Sequence, residues 1–307
     1  MPVTLAPDTI KSRPDFKAGI GLATLLPIVI FQQTVSALCF PVAKYGLATF
    51  EPFTFAFYRF VISALVLVGI ARFREHGRAI ERRDWWKIIG LGFIIIPINQ
   101  TFYLWGQSLT GAGHAAVLFA TTPVWVFILA VIYLKERLLW RRIIGSAIAL
   151  IGALMLVSAG AIRIGTEYLA GDIIVMISVL AWSSYIVFGK PLAEKYGAIR
   201  VTAYALASGT IMYAPFGLYR AIAFDYAGTN LTGWLSVLYL ALGISVFSYT
   251  LYYWLLKQIS AVRLAVFSNI QPVIATVVAF FVLGEIPGVA FYIGAAVVLT
   301  GVIITEV

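Results

Sequence analysis

The sequence has few of the residues on which most soluble enzymes depend. Its 307 residues include one cysteine and two histidines, and only 11% of them are charged. A single cysteine excludes a disulfide within the chain and a thiolate metal cluster, and neither His76 nor His114 lies in a zinc-binding spacing. The sequence also contains no P-loop and no nucleophile elbow. We therefore expect neither an enzyme nor an ATPase, and we expect no metal and no cofactor.

Apolar residues are abundant instead. They make up 62% of the chain, and the mean hydropathy is +0.96, whereas about 25% of a typical soluble domain is charged. Apolar runs of about 20 residues, long enough to cross about 30 Å of hydrocarbon, recur along the chain. The net charge of +9 does not indicate nucleic-acid binding, because the basic residues lie in short connections between these runs. The predicted partner is the lipid bilayer.

Hydropathy and helix-breaking residues predict an all-α integral membrane fold with about ten transmembrane helices. They lie near 19–43, 53–71, 86–108, 114–134, 140–160, 171–192, 199–221, 233–256, 262–283 and 288–305. If the amino terminus lies on one side, that side holds all of the 22 Lys and Arg residues except Lys44, Arg59, Arg163 and Arg220. The positive-inside rule then places both termini on the cytoplasmic side of a bacterial-type inner membrane.

One tract of the sequence occurs twice at a constant offset of 149 positions. The repeated residues are Trp85, Thr101, Tyr103, Trp105, Pro123, Glu136, Gly145 and Gly152, which recur as Trp234, Thr250, Tyr252, Trp254, Pro272, Glu285, Gly294 and Gly301. This internal repeat divides the chain into a tail over 1–18, a first repeat unit over 19–160 and a second over 171–305. Because each repeat has five helices, an odd number, we expect two inverted repeats, as in many secondary transporters.

These motifs resemble the drug/metabolite transporter superfamily, in particular its ten-helix EamA-type branch. The resemblance covers nearly the whole chain and includes the run Phe-Pro-Val-Ala-Lys-Tyr-Gly at 40–46 and Phe57-Tyr58-Arg59. Within this branch the chain is most similar to the YddG-type exporters of aromatic and other neutral amino acids. The resemblance implies export of a small metabolite without ATP hydrolysis.

Neutral polar and aromatic residues cluster near the predicted helix midpoints. Several pairs are three or four residues apart and therefore share a helix face. We predict that they line a substrate-binding cavity, with interhelical hydrogen bonding as the alternative. The candidates are Gln32, Gln33, Ser36, Asn99, Tyr103, Ser178, Trp182, Tyr185, Ser245, Ser248, Tyr249, Tyr252, Asn269 and Gln271.

The thirteen carboxylates all fall in tails, loops or helix ends, where they are poor candidates for an intramembrane proton relay. Transport is thus expected to be facilitative or to be coupled through His114 or Asp172. Glu136 is expected to cap or pair at a helix end. Arg59 is expected to snorkel or to pair with Glu51, and a substrate role for Arg59 is the minor alternative.

Four other residues are candidates for moving parts. Pro123 and Pro272 lie near the middle of helices 4 and 9, so we expect kinks, which are either hinges or passive bends. Tyr103 and Tyr252 are repeat mates and candidate gates.

Small residues in helices 5 and 10 are expected to serve close packing or a homodimer contact. They are Gly145, Ala149, Gly152, Ala153, Gly294 and Gly301.

The residues, together with what the resemblance implies, predict a secondary transporter that exports small neutral, aromatic or amphipathic amino acids through a central cavity by alternating access. Three alternatives remain open at this point. They are a proton-coupled multidrug or other metabolite transporter, a metabolite importer, and a non-transporting membrane scaffold or lipid-modifying membrane enzyme.

Overall fold

The computed structural model describes residues 22–74, 79–110, 112–136, 139–158, 166–274, 277 and 289–306, and the described chain is helical, without strands. The helices form ten rods, which we number α1 to α10. They are α1 (Leu22–Ala37 and Cys39–Leu47), α2 (Pro52–Arg74), α3 (Arg82–Thr110), α4 (Ala112–Ala120 and Thr122–Leu129, extended by Ala130–Leu134), α5 (Trp140–Ser158), α6 (Leu169–Tyr196), α7 (Ala198–Ala223), α8 (Leu231–Leu256), α9 (Ala261–Ile274) and α10 (Val289–Glu306).

The prediction of an all-α integral membrane protein is confirmed. Six helices in the described part of the chain are long and apolar enough to cross a membrane, and the shorter apolar helices Ala261–Ile274 and Tyr292–Thr305 accompany them. The ten predicted helices each match one rod. The predicted tail over 1–18 and most of the predicted end of helix 9 lie outside the described residues.

Three rods depart from regular α-helix in ways that the sequence did not predict. Wider π-helical turns occupy Ile94–Gln100 in α3 and Tyr239–Ser248 in α8. The two stretches overlap when one is shifted by the repeat offset. A third such turn, Ala130–Leu134, ends α4. Because π-turns are rare and often mark functional sites, the overlapping pair makes α3 and α8 candidates for the functional site.

Helix contacts in one half recur in the other half. Helix α1 packs against α8, and its repeat counterpart α6 packs against α3, the counterpart of α8. The counterparts α2 and α7 pack against each other, and so do α5 and α10. The two halves are therefore joined along reciprocal helix pairs.

The small residues of α5 and α10 face each other within the chain. A Cβ on Gly145 would lie 2.6 Å from the carbonyl oxygen of Gly301, and a Cβ on Gly152 would lie 2.9 Å from that of Gly294. Only glycines permit this approach, because any side chain would displace backbone. Of the two expected roles, close packing within the chain is the one observed, so a homodimer, which stays a prediction, would need another surface.

Candidate functional site

A cavity of about 150 Å³ lies in the middle of the bundle, bounded by α1, α3, α4, α6, α8 and α9. We call it the central cavity. Eight of the fourteen candidate residues line it: Gln32, Ser36, Tyr103, Trp182, Ser248, Tyr249, Tyr252 and Gln271. Its wall also contains Pro272 and other residues, namely Cys39, Gln100, Ala116, Phe119, Ala120, Thr122, Ile244 and Ser268.

One wall of the central cavity is aromatic. The ring of Trp182 stacks on that of Tyr185 at 5.8 Å and 24°, and it meets Tyr249 at 5.1 Å and Tyr252 at 5.7 Å. Behind them, the ring of Tyr253 lies 4.9 Å from that of Tyr185. Such offset and tilted contacts hold the rings in place. The cavity therefore presents a rigid apolar surface to whatever enters it.

An amide and two hydroxyls from α1 and α8 form a polar patch. Gln32 Nε2 donates to Ser36 Oγ at 3.0 Å and to Ser248 Oγ at 2.9 Å, and the two hydroxyls are 2.7 Å apart. Gln32 Oε1 is buried without a hydrogen-bond partner. An unpaired buried acceptor is costly, and this one belongs to a residue that lines the central cavity.

Six candidate residues do not line the central cavity. They are buried around it: Gln33, Asn99, Ser178, Tyr185, Ser245 and Asn269. Asn99 Nδ2 donates to the carbonyl oxygen of Ser178 at 2.7 Å and to its Oγ at 2.9 Å, which ties α3 to α6. Gln33 Oε1 accepts from Gln271 Nε2 at 2.6 Å. For Asn99 and Ser178 the observed contact is therefore the interhelical hydrogen bond given above as the alternative.

Gln100, which follows Asn99, was missed although it lies on the same helix. The two side chains are hydrogen-bonded, from Gln100 Nε2 to Asn99 Oδ1. Both belong to the π-helical turn of α3. Gln100, and not Asn99, lines the central cavity in this structure.

Arg59 is the largest departure from the sequence-based expectation. It neither snorkels nor pairs with Glu51, because its side chain is 0% exposed and Glu51 pairs with Arg220. Its Nε donates to Ser245 Oγ at 3.0 Å, and its Nη2 lies 3.5 Å from Tyr249 Oη. An Arg at the centre of a membrane helix costs about 2.5–3.5 kcal/mol on insertion scales. The signal in the sequence was a charged residue inside an apolar run.

The helix breaks beside Pro123 in α4 and Pro272 in α9 border the central cavity. Helix α4 is interrupted at Thr121, just before Pro123. The carbonyl oxygen of Phe119, which Pro123 leaves without its helical donor, accepts from Thr122 Oγ1 at 2.6 Å. In α9, the carbonyl oxygen of Ser268 accepts from the backbone N–H of Gln271 instead. Both freed carbonyls are thus satisfied. A hinge role stays a prediction.

Charged residues at helix ends connect the rods. Glu136 Oε1 accepts from Lys190 Nζ at 2.9 Å and from the backbone N–H of Ala261 at 3.1 Å, so it joins α4, α6 and the start of α9. Asp84 accepts from Tyr196 Oη and from Lys195, both at 2.8 Å. The capping and pairing role predicted for Glu136 agrees with these contacts.

Neither group considered for coupling is seen in the cavity wall. Asp172 accepts from Thr110 Oγ1 at 2.5 Å where α6 begins and α3 ends. The side chain of His114 lies outside the described residues. Among the described residues, no three His, Cys, Asp or Glu side chains come together as a metal site.

Comparison with known proteins identifies the fold and its family. The chain matches the EamA-like transporter family twice, over residues 18–158 and 169–307. The chain belongs to this family. The resemblance inferred from the repeated motifs is thereby confirmed, and this EamA-like chain is a multi-pass membrane transporter.

Individual relatives of this EamA-like chain cover most of its length. An uncharacterized transporter of Archaeoglobus fulgidus is 29% identical over 277 residues, which are 90% of this chain and 96% of the relative. A probable terminal-alkyne amino-acid exporter of Streptantibioticus cattleyicolor is 28% identical over 268 residues, 87% of this chain and 88% of the relative. A protein solved by crystallography superposes with a TM-score of 0.72 at 19% identity, covering 90% of this chain and 93% of the other. That likeness shows the fold alone.

Proposed function

We propose that this EamA-like transporter exports small neutral amino acids with aromatic or amphipathic side chains through the central cavity. The observation that carries the proposal is an aromatic wall, built on Trp182, in the same cavity as the polar patch around Gln32. An amino acid has an apolar side chain at one end and hydrogen-bonding groups at the other, so the two surfaces match its two ends.

The size of the cavity agrees with a small solute. A cavity of about 150 Å³ is comparable to one that holds a single benzene molecule. The ring of an aromatic amino acid is of this size, so the whole amino acid would require the bundle to open slightly and a bulky drug would require it to open much further. The name of the exporter from Streptantibioticus cattleyicolor adds support for an amino acid as substrate.

Alternating access is the mechanism we propose for the two repeats. The reciprocal contacts of α1 with α8 and of α6 with α3 support two halves that exchange roles, and inverted five-helix repeats would produce such an exchange. The distribution of Lys and Arg supports cytoplasmic termini in a bacterial-type inner membrane. The breaks at Pro123 and Pro272 border the cavity and are the proposed hinges. Pro123→Ala should therefore slow turnover more than it weakens binding.

The described cavity wall contains no Asp or Glu, so we propose facilitated export without a carboxylate proton relay. A proton-coupled multidrug exporter, a metabolite importer and a scaffold are the competing functions. They are separated by one assay, in which the purified full chain in liposomes is offered labelled phenylalanine, leucine and a cationic drug, with and without a pH gradient and in both orientations.

The expected result is movement of the amino acids, independent of the pH gradient. Trp182→Ala should lower their uptake at least about 10-fold, because it removes the ring at the centre of the aromatic wall. The matched control is Trp86→Ala, since Trp86 is 77% exposed and lies outside the cavity. Movement of the drug alone, or of no solute at all, would exclude the proposal.

A further inference from the structure

Arg59 brings a positive charge inside the membrane that no carboxylate of the described chain neutralises. It lies seven residues into α2, which is about 10 Å along the helix from Pro52 at 1.5 Å per residue. The described carboxylates that lie in ion pairs have other partners: Glu51 pairs with Arg220, Glu81 with Arg83 and Lys195, Asp84 with Lys87 and Lys195, and Glu136 with Lys190. A buried charge without a counter-ion is a functional feature by default in a membrane protein.

The guanidinium of Arg59 is placed directly behind the cavity wall. Its neighbours at Nε and Nη2 are neutral hydroxyls, those of Ser245 and Tyr249, and its Nη1 is buried without a partner. Tyr249 itself lines the central cavity. One donor of the planar group is therefore unused, and another reaches the cavity through a single hydroxyl.

We propose that Arg59 is the counter-charge for the carboxylate of the transported solute, which binds at the Tyr249 side of the central cavity. This inference rests on the function proposed above and specifies the group by which the solute is recognised. In a low-dielectric interior a fixed guanidinium attracts an anionic group strongly and repels a cationic one. The cavity should therefore discriminate by the presence of a carboxylate.

The other end of an amino acid has a matching group in the same cavity. Gln32 Oε1 is a buried acceptor without a partner, and it can accept from an ammonium group. A positive charge near Tyr249 and an acceptor on Gln32 together select a zwitterion. A carboxylate without an amine should bind more weakly than the amino acid but more tightly than an amine without a carboxylate.

A purely structural role for Arg59 predicts something different. The bond to Ser245 ties α2 to the π-helical turn of α8, and loss of that tie would weaken all substrates alike. The discriminating quantity is thus the ratio of affinities for two ligands that differ only in the carboxylate.

The experiment measures competition against labelled L-phenylalanine in liposomes by L-phenylalaninamide and by 3-phenylpropanoate. The wild-type chain should bind phenylalanine at least about 10-fold more tightly than the amide, the effect expected for a hydrogen bond to a charged group. Arg59→Gln should remove this preference while the affinity for the amide stays within about 3-fold, and Arg59→Lys, which keeps the charge, should retain part of it. The control Lys44→Gln removes an exposed positive charge and should leave the ratio unchanged.

Equal wild-type affinity for phenylalanine and its amide would overturn the inference and leave the proposed function standing, since both solutes would still be moved. An Arg59→Gln variant that weakens both ligands equally would also overturn it. If that variant does not fold, the wild-type ratio and the ratio in Arg59→Lys decide. Failure to move any amino acid would instead refute the proposed function.

Discussion

Gly301 should be the most sensitive position in the contact between α5 and α10. A Cβ added there would lie 2.3 Å from the backbone nitrogen of Ala149 and 2.6 Å from the carbonyl oxygen of Gly145. Both atoms belong to the backbone of a packed helix, which cannot rotate away as a flexible side chain would. Gly301→Ala must therefore push the two helices apart.

The size of the effect follows from comparison with a glycine in open space. Overpacking a tight contact costs about 1–3 kcal/mol, whereas Gly→Ala in a helix gains up to about 1 kcal/mol in helix propensity. Gly69 in α2 has no atom within 4 Å of an added Cβ, so Gly69→Ala gains the propensity without the clash. The difference between the two variants isolates the cost of separating the helices.

Thermal unfolding in detergent, followed by intrinsic fluorescence, measures that difference. At about 2–4 °C per kcal/mol, Gly301→Ala should melt roughly 2–12 °C below Gly69→Ala. Gly69→Ala itself should melt at or slightly above the wild-type temperature. Equal melting temperatures for the two variants would show that α5 and α10 do not pack through Gly301, and the helix arrangement described above would then be wrong.

Three further predictions concern the central cavity, the break in α4 and the ion pair between Glu136 and Lys190. Cys39, which lines the cavity, should react with N-ethylmaleimide more slowly when a transported amino acid is present, and an unchanged rate would place the solute elsewhere. Thr122→Val should cost about 1–3 kcal/mol of stability, because it leaves the carbonyl oxygen of Phe119 without its hydroxyl donor; an unaltered melting temperature would contradict this. Glu136→Gln should lower both the melting temperature and the transport rate, since it removes the charge paired with Lys190, and wild-type values for both would show that the pair is dispensable.

The fold was largely predictable from the sequence, because the signals that define it are local. Each apolar run reports that its helix is surrounded by lipid or by other helices, and each run has a helix in the structure. The repeat, in which residues 123–152 resemble residues 272–301, can be found by comparing the chain with itself. The breaks beside Pro123 and Pro272 were also predictable, since a proline removes a backbone donor whatever surrounds it.

The candidate site was predictable in its composition but not in its geometry. Trp182, Tyr249 and Gln32 line the cavity as expected. Exposing the polar atoms of such side chains to lipid at mid-membrane depth would be costly. Asn99 was expected there too, but its amide binds Ser178 on the neighbouring helix and Gln100 takes the cavity position. The sequence indicates how deep a side chain lies and not which way its helix is turned.

By itself the sequence determined that the chain is a helical membrane protein and that its two halves resemble each other. Hydropathy, charge and self-similarity establish these properties because each depends on the residue types alone. Only the tertiary structure decided which polar groups meet in the central cavity and that Arg59 lies behind its wall without a carboxylate partner. Those facts depend on the rotation of each helix about its axis, which π-turns and contacts between distant helices set.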